Sequence, residues 1–317
     1  MTSRLTAIPV LATLFVLLWS SGFVGAKFGL GYAGTFTLLF WRYVLVVVVL
    51  GVAVTLAGQW QRIAPRDLAR HAVVGALAHA GWLASVLGAI DLGLSVGAAA
   101  FITALQPIVT GALSARMTGE AVSRREWAGL ILGLVAVGIV IGDGLSLGGS
   151  AVSYALPFLA VIAITVASLL DRGATVNRGN ATPLLLVTFW HCAASLVVLT
   201  PLAIGIEGLS ADWGGNLLFA VAWLALVVSL AAYGRMFVRL RRLPAPRVAS
   251  LTYLSPPVTM VLAWALFGEM LTLTGTIGLA VAAVAVWLAQ TAKRPAAGSA
   301  RPARDARAAA APSSTAS

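Results

Sequence analysis

The sequence predicts an all-α integral membrane protein of ten transmembrane helices, arranged as two inverted repeats of five helices each. Three observations carry this expectation. The 317-residue chain is 60% hydrophobic and only 10% charged, with a mean hydropathy of +0.97, which is a membrane composition rather than that of a soluble domain. Ten apolar stretches are long enough to span a bilayer. A single ungapped offset of 149 positions superimposes a block in the first half on a block near the end.

A span needs about 20 mostly apolar residues to cross ~30 Å of hydrocarbon at the helical rise. The stretches of that kind are approximately 8–30, 35–57, 72–90, 94–115, 126–143, 153–170, 182–205, 215–234, 248–267 and 273–291. The first is too long for the core of a signal peptide and nine more follow it, so it reads as a retained helix. Beyond Arg294 the chain turns to Pro, Ala, Arg and Ser, and 295–317 reads as a disordered cytoplasmic tail.

Lys and Arg set the orientation, because short loops rich in them stay on the cytoplasmic side. Of the 21 basic residues, 19 fall at the two termini or in the loops after even-numbered spans, among them Arg62, Arg66, Arg70, Arg124, Arg172 and Arg239. The opposite loops hold Asp91, Asp143, Glu207, Asp212 and Glu269 and no basic residue. Both termini are therefore expected in the cytoplasm. The net charge of +11 would suggest nucleic acid in a soluble protein, but its segregation into alternate loops excludes that partner and leaves the lipid bilayer and a small-molecule substrate. The sequence leaves the oligomeric state open and is compatible with a monomer.

The 149-residue offset pairs Pro107 with Pro256, Gly119 with Gly268, Glu120 with Glu269, and Gly129 with Gly278. It also pairs Phe40-Trp41-Arg42 with Phe189-Trp190-His191. Each half, 8–143 and 153–291, holds five spans, and an odd number forces the second half to enter the membrane upside down. The charges agree with this inversion. The turn at Glu120 is followed by Arg124 and Arg125, whereas its copy at Glu269 has Leu273 and Thr274 at those places.

Catalysis finds little support in the inventory. No paired carboxylates, metal-ligand cluster, nucleotide-binding glycine loop or Ser-His-Asp set can be placed within the spans, so neither an enzyme nor a cofactor nor a metal is expected. The lone Cys192 lies in an apolar stretch and reads as a small buried hydrophobe.

Lys27, Arg42, His79 and His191 are the ionisable residues inside predicted spans, and such residues are functional candidates because they are costly there. Arg42 either snorkels to the interface or faces a wet cavity, where its guanidinium would grip a carboxylate or phosphate. His191, its counterpart under the offset, mirrors that placement. Lys27 reads as a snorkelling residue and His79 as a helix-contact or cavity residue. Pro107 and Pro256 are expected to break spans four and nine and act as hinges. Glu120 and Glu269 read as caps that offset unpaired N–H groups at a helix start. Trp19, Trp82, Trp190 and Tyr253 would line a cavity for an apolar or aromatic solute, with packing or lipid contact as the alternative.

Three features together resemble the EamA-type domain of the drug/metabolite transporter superfamily. They are WSSGFVGAKFGL with Trp19 and Lys27, FWRYV with Arg42, and the two Pro…Gly-Glu…Gly blocks. The resemblance covers 8–142 and 153–291. It implies an inner-membrane permease with a cavity lined by helices one to four and six to nine. Export of small metabolites such as amino acids, often by proton-linked exchange, is also implied. Arg42 matches the family's helix-two arginine. Related four-helix multidrug exporters couple protons through a carboxylate in their first helix, and the first span here has none. A facilitative channel or a non-transporting membrane scaffold is the competing expectation.

Overall fold

The computed structural model describes residues 2–106, 108–110, 113, 124–146, 150–175, 182–229, 255–269 and 272–291. Regular structure among these residues is helical, apart from one isolated bridge between Ala33 and Ala211. In chain order the helices are α1 (Thr2–Leu30), α2 (Thr35–Leu56), α3 (Pro65–Asp91), α4 (Val96–Thr103), α5 (Arg124–Ser146), α6 (Ala151–Thr175), α7 (Leu184–Gly205), α8 (Gly215–Ser229), α9 (Ser255–Phe267) and α10 (Leu273–Thr291). Windows in α1, α2, α3, α6 and α7 are long and apolar enough to cross a membrane. Helix is the only regular structure, barrels aside, that satisfies every backbone group inside hydrocarbon.

Several bounds differ from the sequence expectation. Helix α3 starts at Pro65 rather than near 72, and α6 continues to Thr175 rather than ending near 170. Both extensions are polar turns that a hydropathy window discards. At α3 the early start follows from Pro65 at the first helical position and Asp67 in the first turn, which suit unpaired N–H groups and the positive end of the helix dipole.

Two helices are wound more loosely along part of their length. Within α3 the segment Ala76–Gly81 is π-helical, and α8 passes into a π-helical segment at Trp223–Ser229. Such bulges are frequent at functional sites. Helix α4 ends in a turn at Ala104 and Leu105, and helical backbone resumes at Gln106.

The buried core runs along α2, whose Leu38, Leu39, Tyr43 and Val46 are almost wholly enclosed. Helix α2 packs chiefly on α7, α3 on α6, α1 on both α8 and α9, and α5 on α10. The last pair carries exposed apolar side chains such as Ile131, Leu134, Ile277 and Trp287, a surface suited to lipid. Close approach of α1 to α8 and α2 depends on Gly22, Gly25 and Gly29, which recur on one helix face. A Cβ on them would meet Val228, Trp223 and Leu38 at 3.0, 3.1 and 2.7 Å respectively, so small residues decide the interhelical spacing.

At one end of the bundle, acidic residues from distant loops complete the helix starts. Glu207 accepts hydrogen bonds from the Phe36 and Thr37 amides at 3.0 and 2.7 Å, replacing a cap that Gly34 cannot supply. Ser95 accepts from the Ala98 amide at 3.1 Å to cap α4, and Glu269 accepts from Val96 at 3.0 Å. Gly268 makes the second of these contacts feasible. Its left-handed φ of +68° turns the chain sharply after α9 and swings Glu269 toward α4 and α1.

Candidate functional site

The site is built on the inner face of α2. Arg42 and Tyr43 follow one another there, and the residue total exposure of Arg42 is only 6%. Its Nε and Nη2 donate to the Ser229 hydroxyl at 3.3 and 3.0 Å. Ser229 in turn donates to the Leu224 carbonyl at 2.9 Å, five residues earlier in the π-helical segment. The loosened turn of α8 thus orients the hydroxyl that holds the guanidinium. The guanidinium has five N–H donors and no acceptor. Among the described residues no carboxylate forms an ion pair with it, so a cation is held in the protein interior by a neutral oxygen.

A line of rings continues from Arg42. Tyr43 meets His79 edge to face with centroids 6.1 Å apart, and His79 lies 6.1 Å from His191. His191 Nε2 stands 3.2 Å from His71 Nδ1. His79 belongs to the π-helical part of α3. The backbone of α7 fits tightly against that helix, because Gly75 faces the main chain of His191 where a Cβ would collide. Ser195 clamps the contact by donating to both the Gly75 and His191 carbonyls, at 2.9 and 2.8 Å. Arg42, Tyr43, His79 and His191 therefore form one buried polar line crossing α2, α3 and α7.

Beside this line, Trp19 of α1 and Trp82 of α3 pack with centroids 5.9 Å apart. Ser20, the next residue, bonds the Ser255 hydroxyl at 3.1 Å and ties α1 to the described start of α9, where Pro256 occupies the first turn. Trp190 stands apart from these groups. It packs edge to face on Phe189 at 5.4 Å, which itself meets Trp60 at 5.1 Å. Phe189 and Trp60, with Val48, Val52 and Leu56, line an apolar groove of about 430 Å³ between α2 and α7.

Two candidates take contacts that differ from the sequence expectation. Lys27 does not reach out alone toward the interface; it forms an ion pair with Glu269 and lies 4.9 Å from the Phe267 ring. Glu269 caps the start of α4 rather than that of the helix following it, because the turn at Gly268 directs it across the bundle. Tyr253, Pro107 and Glu120 lie outside the described residues.

Sequence reasoning missed Tyr43, Ser229, His71 and Asp171. His71 and Asp171 each fell one residue beyond a predicted span, and both become helical once α3 and α6 run longer. No periodicity marks Ser229, since its role arises from the π-helical winding.

The chain matches the EamA-like transporter family over residues 7–142 and 151–291. It is 25% identical over 289 residues to the uncharacterized inner membrane transporter YedA of Escherichia coli strain K12, covering 90% of this chain and 92% of that protein. The same figures hold for YedA of Escherichia coli O157:H7. One solved crystal structure superimposes with a TM-score of 0.62 at 18% identity, over 90% of this chain and 97% of the other, a likeness of fold alone. With matches across both halves of the sequence, the chain belongs to the EamA-like transporter family of the drug/metabolite transporter superfamily.

Proposed function

We propose that this protein is an inner-membrane secondary transporter that exports a small metabolite by alternating access, with amino acids, aromatic ones included, as the candidate cargo class. The observation that carries the reading is Arg42, a buried guanidinium whose described partner is the neutral Ser229 hydroxyl. An unpaired cation in a low-dielectric interior is costly, and a substrate carboxylate reaching its remaining N–H donors would offset that cost through charge-assisted hydrogen bonds. Trp19 and Trp82, packed together between α1 and α3, supply aromatic surface for an apolar side chain.

Two inverted five-helix halves rock about this line in the proposed cycle. The mirrored use of π-helical segments supports it. Under the 149-residue offset, Ala76–Gly81 overlaps Trp223–Ser229, and α2 meets the segment in α8 just as α7 meets the one in α3. The Lys27–Glu269 ion pair, together with the bond from Val96 to Glu269, joins α1, α4 and the end of α9. In the proposed orientation, with both termini cytoplasmic, this tie closes the outer face. Pro107 and Pro256 are the proposed hinges.

The test is mass-spectrometric profiling of the medium of cells producing the wild type or Arg42→Ala at equal membrane abundance. The expected result is one solute class that rises with the wild type and not with the variant. An equal rise with both would remove Arg42 from the cargo route, and no rise in either would overturn export. Saturable counterflow of that solute in proteoliposomes separates a carrier from a channel.

A further inference from the structure

We propose that His71, Asp171 and His191 form a binding site for one divalent first-row transition-metal ion, with Zn²⁺ the best match. The residues come from three helices, α3, α6 and α7, and one ligand atom from each lies within 4.8 Å of the others. Two of the chain's three histidines converge here. Binding at this site requires no particular cargo, so it stands apart from the export reading.

The geometry matches a four-coordinate ion. Zinc–nitrogen bonds of about 2.0–2.1 Å in a tetrahedral arrangement place two ligand nitrogens roughly 3.3–3.4 Å apart. His71 Nδ1 and His191 Nε2 stand 3.2 Å apart. An ion therefore enters between them without the rings separating appreciably. Asp171 is partly exposed, and its carboxylate, with an oxygen within 4.8 Å of both histidine ligand atoms, offers the third position. Two imidazoles and one carboxylate leave the fourth position for water. This donor set suits Zn²⁺, Co²⁺ or Ni²⁺ better than Mg²⁺ or Ca²⁺, which take oxygen ligands.

Charge and rigidity point the same way. Arg70 and Arg172 each adjoin a ligand in sequence, next to His71 and Asp171, and Arg70 is paired with Asp67 at 3.3 Å. Asp171 contributes an anionic oxygen ligand beside the two imidazoles, a donor set that suits a divalent ion. The ligands are also held in advance. The tight fit of Gly75 against the His191 main chain, with Ser195 bridging both carbonyls, fixes α3 against α7 four residues beyond His71. Preorganisation of that kind is what a metal site needs from its scaffold. A bound ion would pin α3, α6 and α7 together at the arginine-bearing end of the bundle.

The experiment uses the full-length, tag-free protein in detergent micelles, stripped with chelator and desalted. Co²⁺ is titrated while visible absorption is followed, Zn²⁺ is measured by competition, and elemental analysis gives stoichiometry. The expected result is one ion per chain, with the intense visible bands of four-coordinate Co²⁺ displaced by Zn²⁺. Each of His71→Gln and His191→Gln is expected to weaken affinity by at least about tenfold, since loss even of outer-shell partners costs that much. Asp171→Asn, at a partly exposed position that leaves packing intact, is expected to weaken it as well and keeps the test valid if a histidine variant fails to fold. Failure of the wild type to retain stoichiometric ion overturns the proposal. So does equal binding in wild type and in folded Asp171→Asn and His71→Gln proteins.

Discussion

Removing the ion pair between Lys27 and Glu269 tests whether the tie between α1, α4 and α9 stabilises this arrangement of the bundle. The pair is neither a surface bridge nor a sealed one, with side-chain exposures of 35% for Lys27 and 17% for Glu269. Exposed pairs contribute about 0–1 kcal/mol, whereas removing one partner of a buried pair costs about 3–5 kcal/mol. The intermediate burial places the coupling at about 1–2 kcal/mol. Glu269→Gln keeps an amide oxygen for the Val96 N–H, now bonded at 3.0 Å, while removing the charge. Lys27→Met keeps a flexible chain against the Phe267 ring while removing the ammonium. A double-mutant cycle then isolates the pair, because the other contacts survive in each corner. The assay is reversible unfolding in mixed micelles followed by tryptophan fluorescence. The double variant should be less destabilised than the sum of the singles by about 1–2 kcal/mol, a factor of about 5–30 in the folding constant. Additivity within about 0.5 kcal/mol would refute the reasoning and reduce the contact to an incidental meeting of a helix end and a loop.

Gly75→Ala drives a methyl group into the His191 main chain. Overpacking against backbone that cannot swing aside costs about 1–3 kcal/mol, so the melting temperature should fall, whereas Gly138→Ala, facing open space on α5, should leave it unchanged or raise it. Glu207→Ala orphans the Phe36 and Thr37 amides at the start of α2. The expected loss is about 1–3 kcal/mol for each N–H left without a partner, with Glu207→Gln closer to wild type in the same unfolding assay.

The membrane character of the chain was legible in composition alone, and Arg42 and the histidine pair His79/His191 stood out because a charged or titratable group is conspicuous in apolar sequence. Glu269 was legible as a capping residue but not as the cap of α4, since a cap that acts on a helix more than 170 positions away leaves no local spacing to read. Ser229 was invisible for a related reason. Its hydroxyl reaches Arg42 only because α8 widens into a π-helix, and winding of that kind has no counterpart in a hydropathy profile. His71 and Asp171 fell just outside the predicted spans because a window tuned to hydrocarbon thickness ends where the first polar turn begins, while the helix itself does not.

What the sequence by itself determined is whatever depends on solvent and on chain order: helices in lipid, the duplicated blocks, the segregated charges and the presence of ionisable residues within apolar spans. These follow from the cost of exposing polar backbone and charge to hydrocarbon, which each residue bears wherever its neighbours lie. Partnership was decided only by the tertiary structure. That Arg42 rests on Ser229, that Lys27 meets Glu269, and that His71 comes up against Asp171 and His191 depends on helices brought together from positions 100 or more residues apart. Those contacts are set by interhelical packing at positions such as Gly29 and Gly75, where the presence of a single Cβ would separate the helices.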